Sequence, residues 1–460
     1  MTQAAPTPEP ATQAALRRTL SPGYRAWVLT VLMLVAMFGF ADRQILSALG
    51  QAIKRDLVLS DAQLGLLGGL AFALLNALAS VPLARLADRG RRVTLVSAGV
   101  FVWSIATALC GLTVSFGQLI AARLTVGLGE ATGNPATVSM LADYFPRQTR
   151  TSAMAFFGLS VPLGALLGAA GGGYIAQHAS WRSAFIIAGL PGILLGLVLA
   201  ATVREPVRGH YDGPSGAAAE PPPLLAVLKR MIERPAFLHT LIGSTLVSTG
   251  GFGILTFNAP YLFRRFGLDL AQAGLITGLI SAVPGCICIL GAGLLADRLA
   301  RRDVRFYGWA PALCALLATP LYVVSFLQTG WLAATLMLMT TGLVQYAYLP
   351  VSMGLYQNLM APRMRASAAA IVNLATNLVS AGLGPLIVGL MSDAFAKQAF
   401  HGDFAVACSG GRAAQSALQG PCGVASASGL QWACILFSLI YLWGAAHFAL
   451  AARTLKRDMA

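Results

Sequence analysis

Leu86-Ala87-Asp88-Arg89 is followed by Gly90-Arg91-Arg92, and Leu295-Ala296-Asp297-Arg298 is followed by Leu299-Ala300-Arg301-Arg302. The same four residues occur twice, each time with arginines behind them. What stands in front of each copy decides the fold. Residues 25–50 and 61–85 precede the first copy, and residues 236–263 and 270–296 lead into the second. All four stretches are apolar and long. A hydrocarbon core of ~30 Å takes ~20 apolar residues as a helix. The tetrapeptide therefore closes the second crossing of two successive groups of helices, which predicts a duplicated bundle.

Composition agrees with that reading. Of 460 residues 57% are apolar and 11% charged, with a mean hydropathy of +0.70. Soluble domains carry about 25% charged residues, so a solvated enzyme surface is excluded, and so is a disordered chain. The 49 glycines show no three-residue period, which excludes a collagen-like chain. Breaks at charges, Pro and Gly give twelve helices, at 25–50, 61–85, 93–114, 117–144, 150–176, 182–203, 236–263, 270–296, 306–327, 331–360, 366–392 and 429–452. Such long Ala/Leu/Gly-rich runs do not fit the alternation of a barrel.

The expected layout is a cytoplasmic tail (1–24), a first six-helix bundle (25–203), a linker (204–235), a second bundle (236–452) and a cytoplasmic tail (453–460). The first tail holds Pro6, Pro8 and Pro10 and no apolar core, so no cleavable signal is expected. In the linker, apolar residues 224, 225, 228, 231 and 232 share one helical face, opposite Lys229, Arg230 and Glu233. That pattern predicts a short helix lying on the membrane interface.

The net charge of +15 comes from 32 Lys and Arg against 17 Asp and Glu. In a soluble protein it would suggest nucleic acid. Here twenty-three of the 32 fall on the side of the termini and seven on the other, with Arg43 and Arg123 inside helices. Such a bias puts both termini in the cytoplasm. The excess is a topology signal, and no nucleic-acid partner is expected.

Gly293-x-x-Ala296-Asp297-Arg298-x-x-Arg301-Arg302 resembles the motif that major facilitator superfamily (MFS) transporters carry after helices 2 and 8. In the first copy Ala84 stands where the family usually has Gly. Arg123-x-x-x-Gly127-x-Gly129-Glu130 is similar to the family's helix 4 motif, and Gly164-x-x-x-Gly168-x-x-x-Gly172 to its helix 5 packing motif. Phe40-Ala41-Asp42-Arg43-Gln44 and Leu57-x-Leu59-Ser60-Asp61-x-Gln63-Leu64-Gly65 resemble the spinster-like (Spns) branch, whose members move lysolipids and sphingoid phosphates. The resemblance implies an all-α membrane protein of the MFS fold, with twelve transmembrane helices in two pseudo-symmetric six-helix bundles. It implies a monomer in a bacterial inner membrane, working by alternating access, and a gating role for Asp88, Arg89, Arg92, Asp297 and Arg298.

Four ionisable residues lie within helices: Asp42, Arg43, Arg123 and Glu130. Each costs ~2.5–3.5 kcal/mol at mid-bilayer, so such groups are rarely decorative. At ~1.5 Å per residue, Asp42 and Arg123 lie at matching depth and Glu130 about two turns deeper than Arg123 on its face. Asp42 and Arg123 are therefore expected to pair. Glu130, with Asp42 and Arg123, is the expected proton-coupling site, because a buried carboxylate changes its proton affinity when a guanidinium leaves or returns. A static lock between helices 1 and 4 is the open alternative. Arg43, Arg123 and Glu130 are the expected headgroup contacts of an amphipathic lipid. The second-half helices supply only neutral polar groups, such as Asn258, Gln345 and Tyr346.

Cys408 and Cys422 share one loop outside the membrane and are candidates for a disulfide. No metal-ligand spacing, nucleophile triad or phosphate-binding loop stands out, so no catalysis, metal or cofactor is expected. Transport of another small organic anion or drug is the nearest competing function, ahead of an intramembrane enzyme or a channel.

Overall fold

Serines and glycines set where the helices begin and end. In the computed structural model, residues 21–208, 211, 223–300, 303–361, 364–411, 413 and 415–459 are described. Most of the 1–24 tail and of the linker between 209 and 222 lies outside them. The first half comprises α1 (Pro22–Asp56), α2 (Asp61–Gly68), α3 (Leu70–Arg89), α4 (Arg92–Cys110), α5 (Phe116–Glu130), α6 (Gly133–Tyr144), α7 (Arg147–Gly158), α8 (Ser160–His178) and α9 (Trp181–Thr202). A linker helix, α10 (Leu224–Glu233), leads to α11 (Pro235–Phe266), α12 (Leu270–Ala300), α13 (Phe306–Leu327), α14 (Trp331–Tyr346), α15 (Tyr348–Leu359) and α16 (Arg365–Ala375). Then come α17 (Gly384–Ala399), the short α18 (Phe404–Ala407), α19 (Gln419–Phe437) and α20 (Ile440–Met459). Ser21, Ser60, Ser115 and Ser180 each accept a backbone N–H at a helix start. At Ser60 the cap is reciprocal: Gln63 N–H donates to Ser60 Oγ (3.1 Å) and Ser60 N–H donates to Gln63 Oε1 (2.9 Å).

Eleven described helical stretches are long and apolar enough to cross a membrane. The twelfth crossing is α5 with α6, fourth in chain order, whose pieces of 15 and 12 residues are each too short to cross alone. The last crossing begins at Gln419 rather than 429. Residues 419–429 are mostly small, and Pro421 falls in the first turn, where its missing N–H costs nothing.

Small residues let backbones touch where the charged residues sit. A Cβ on Gly164 would lie 2.3 Å from Met37 O, one on Gly168 2.1 Å from Ala41 O, and one on Gly172 2.4 Å from Ile45 Cγ1. Thus the glycine row of α8 grips the segment of α1 that carries Asp42 and Arg43. The halves meet the same way: a Cβ on Gly274 would lie 2.3 Å from Ala169 O, and one on Gly65 2.2 Å from Pro385 O. Gly69, between α2 and α3, faces the carbonyls of Ala381 and Gly382, which lie in a π-helical stretch (Thr376–Leu383) joining α16 to α17.

The linker helix departs from expectation. Val227 and Met231 are buried, in one cluster with Phe237, Leu355, Tyr356 and Leu455. Leu225 and Ile232 are exposed. The helix is docked on the second half through its 227/231 stripe, so only part of the apolar face read from the sequence is left to the interface.

The α1–α8 contact makes a quantitative prediction. Gly168→Val has no room for its side chain, and overpacking of this kind costs about 1–3 kcal/mol. A drop in thermal unfolding temperature in detergent, absent in a Gly171→Val control where a Cβ meets nothing within 4 Å, checks it.

Candidate functional site

Two ion pairs link α1 to α5. Arg43 Nε and Nη2 both donate to Glu130 Oε2, at 2.7 and 2.5 Å. Arg123 Nη1 donates to Asp42 Oδ2 at 3.2 Å. The two pairs differ in access. The Arg43 side chain is 25% exposed, whereas those of Glu130, Asp42 and Arg123 are 5%, 5% and 1% exposed. Glu130 Oε1, Asp42 Oδ1 and Arg123 Nε find no partner among the described residues. A buried polar atom without a partner is costly, and marks a place for a proton, a water or a ligand group.

Phe72 of α3 organises both pairs and escaped the sequence reading. Its ring centroid lies 4.4 Å from Arg43 Cζ and 5.9 Å from Arg123 Cζ, while Phe40 covers Arg43 at 5.1 Å. Aromatic faces stabilise guanidinium groups in apolar surroundings. No periodicity sets Phe72 apart from a core residue, so only the tertiary contact identifies it. Arg123 was expected at a headgroup beside Arg43. It is instead enclosed, so in this conformation Arg43 alone of the two reaches open space.

At the end bearing the termini, Arg92 ties three segments of the first half. It donates to Glu205 Oε1 (2.7 Å), Asp143 Oδ2 (2.5 Å) and Ser139 Oγ (2.8 Å), and Nη2 donates to the carbonyl of Pro206 (3.2 Å). Glu205 Oε2 in turn accepts from Val93 N–H at 2.9 Å. Arg208 Nη2 donates to the carbonyls of Ala87 and Gly90, each at 2.7 Å. Arg92, a residue of the expected gating motif, makes all of its bonds to Glu205, Asp143, Ser139 and Pro206 within the first half. Asp143 and Glu205 were missed, since nothing local marks them. Arg89 and Arg298 are exposed, and the side chains of Asp88 and Asp297 lie outside the described residues.

The opposite end carries a cluster that joins the halves. Asp61 accepts from Lys54 Nζ (2.6 Å), from Arg264 Nη1 and Nη2 (2.6 and 2.7 Å) and from Ser392 Oγ (2.7 Å). Arg264 Nε donates to Gln51 Oε1 at 2.8 Å, and Asp393 accepts from the N–H groups of Asp61 and Ala62 at 3.0 and 2.8 Å. Lys54, Gln51 and Asp61 belong to the first half, and Arg264, Ser392 and Asp393 to the second. The Lys54, Asp61 and Arg264 side chains are 3–5% exposed. Lys54 and Arg264 read in the sequence as loop charges; burial between the halves was invisible there.

On the second half, a cavity of about 20 Å³ is lined by Asn258, Ser281, Tyr322, Gln345 and Tyr346, among others. Tyr322 Oη donates to Gln345 Oε1, and Asn258 Oδ1 has no partner among the described residues. Ser47 Oγ of α1 is bonded to the carbonyls of Leu255 (3.1 Å) and Thr256 (2.9 Å), beside this cavity. Cys408 and Cys422 form a disulfide, with Cα atoms 5.5 Å apart. No group of three or more potential metal ligands occurs among the described residues.

Two related six-helix halves, joined at one end and with paired charges buried inside the first, define a polytopic transporter. The family model of the Major Facilitator Superfamily matches residues 31–385, and the chain belongs to that superfamily. It is 32% identical to an MFS-type efflux pump of Mycolicibacterium smegmatis, over 80% of this chain and 85% of that one. At 25% identity stand a probable galactarate/D-glucarate transporter of Bacillus subtilis (68% and 74% covered) and the sphingosine-1-phosphate transporter SPNS2 of Danio rerio (83% and 78%). A bacterial homologue of the human lysosomal transporter Spinster, crystallised inward-facing and unoccupied, superposes with a TM-score of 0.85 at 30% identity, over 95% of this chain and 99% of that one.

The enclosed pair predicts coupling. Removing one partner of a buried pair costs about 3–5 kcal/mol, because the other charge is left unpaired. Arg123→Met should therefore lower stability by that order, and Asp42→Asn added to it should restore a large part. Thermal unfolding of both variants checks this; equal losses in the single and the double variant would refute the pairing energetics.

Proposed function

We propose that the chain is a proton-coupled secondary transporter of amphipathic lipids, of lysolipid or sphingoid-phosphate type, working by alternating access. The observation that carries this reading is the Arg43–Glu130 pair. It couples the one partly open guanidinium among the four membrane charges to a carboxylate with a spare oxygen. An anionic headgroup arriving at Arg43 competes with Glu130 for the same guanidinium. A carboxylate that loses its cation in an apolar site takes up a proton more readily. Headgroup binding at Arg43 and proton binding at Glu130 then favour each other, with Asp42–Arg123 behind them as a fixed counter-pair. Coupling of this kind needs only that each ligand bind one conformation better than the other.

The asymmetry between the halves favours an amphipath. The first half brings charge; the second brings the neutral groups around Asn258 and Gln345 and a largely apolar surface. Both termini are assigned to the cytoplasm by the basic bias, which puts the Asp61 cluster on the outer side of a bacterial inner membrane. The chain acts as a monomer in this reading. Asp88, Arg89, Arg92, Asp297 and Arg298 are assigned to the closing of the cytoplasmic end, with Arg92 keeping the first half rigid as it swings. A smaller organic anion or drug is the second reading, favoured by the efflux pump and sugar-acid transporter among the relatives.

Uptake in proteoliposomes across a panel of lysolipids, sphingoid phosphates, sugar acids and cationic dyes, at pH 6 and pH 8, separates the readings. The wild type should prefer an anionic amphipath and respond to pH. Glu130→Gln should be slowed roughly tenfold or more and lose most of that response, an effect of about 1.4 kcal/mol in the barrier. A full-rate, still pH-dependent Glu130→Gln variant would overturn the assignment.

A further inference from the structure

The end of α1 is built unusually. Leu59 N–H donates to Lys54 O at 3.0 Å, the long helix-ending bond in which the residue before the donor turns left-handed. That residue is Val58, with φ of 54°, and it is the sole non-glycine with positive φ among the described residues. Glycine is the usual choice here, and a β-branched side chain in this conformation is a marked outlier. Backbone strain retained at one point asks what holds it.

What lies against Val58 comes from the other half. Gly410, itself at φ 60°, is so close that a Cβ on it would sit 2.7 Å from Val58 Cα, 3.1 Å from Val58 Cγ1 and 3.1 Å from Lys54 O. The rest of the Val58 side chain stays exposed. Gly410 sits in the loop between α17 and α19, two residues past Cys408, whose disulfide to Cys422 ties the loop to the first turn of α19. Both cysteines are buried. Asp403 steadies the approach by accepting from the N–H groups of Ala405 and Val406. So a covalently braced loop of the second half rests on the helix end of the first half. The carbonyl it touches belongs to Lys54, whose ammonium binds Asp61 beside Arg264.

We propose that this loop is a strap across the two halves, and that the Cys408–Cys422 bond sets how firmly it holds the Asp61 end shut. The ionic cluster supplies attraction between the halves. The bond restricts the loop that packs on the turn at Lys54–Leu59, so the turn cannot part from the second half without displacing a braced segment. Breaking the bond lengthens the free loop and lets that end open more often. The assignment rests on the alternating-access reading only for its consequence in transport; the contact between the loop and the turn is read from the structure.

Hydrogen–deuterium exchange of the full chain in nanodiscs tests it. Three samples are compared: oxidised wild type, wild type reduced after folding, and Cys408→Ser/Cys422→Ser. Peptides covering residues 51–66 and 256–268 should exchange about threefold faster or more without the bond, although neither region is altered. Reduction after folding guards against a variant that misfolds. Acceleration confined to residues 400–422 would overturn the strap. The alternating-access reading fails separately, if no pH or panel compound shifts exchange at either end of the bundle.

Discussion

An ion within a hydrocarbon layer must find its counter-ion inside the protein, and this requirement organises the first half. Two arginines and two carboxylates are shared between α1 and α5. Pairing them needs backbones close enough for short, well-aimed contacts. The glycine row of α8 sets the position of α1, and Phe72 fills the space between the guanidinium groups. Exposure then separates the pairs: Asp42–Arg123 is enclosed between two helices, and in Arg43–Glu130 the arginine stays partly open.

The second half answers with shape and neutral hydrogen bonding. Its irregular points, the π-helical turn at Thr376–Leu383 and the glycines facing α2, α3 and α8, lie along the seams where the halves touch. Arg264 and Asp393 at the Asp61 end serve the contact with the first half. Chemistry and leverage are thus divided between two bundles of common plan. The duplicated tetrapeptide records the common origin, while the interior residues record the division of labour.

Much of this was legible in the sequence. Hydropathy and the repeat carry the number and grouping of helices, because crossing a bilayer imposes length and composition directly. Depth along a helix is also calculable, which is how Asp42 and Arg123 come to the same level. What one chain does not reveal is which way neighbouring helices face one another. Arg43 and Arg123 looked equivalent as headgroup contacts, and only packing shows one open and one enclosed. Asp143, Glu205 and Arg264 acquire their roles through partners far away in sequence. The linker helix carries more apolar residues than the stripe that α15 and α20 cover, and its sequence does not mark which of them dock. Val58 gives no local sign at all, since nothing in its neighbours announces a left-handed turn.

Arg208 closes a circuit of another kind. It grips the last carbonyls of the α3 end, at Ala87 and Gly90, and it stands where the chain leaves the first half for the second. The connection between the bundles is therefore anchored on the very turn that carries the repeated tetrapeptide. The residues by which the chain leaves the first half are thus tied by hydrogen bonds to the end of α3 instead of standing clear of it.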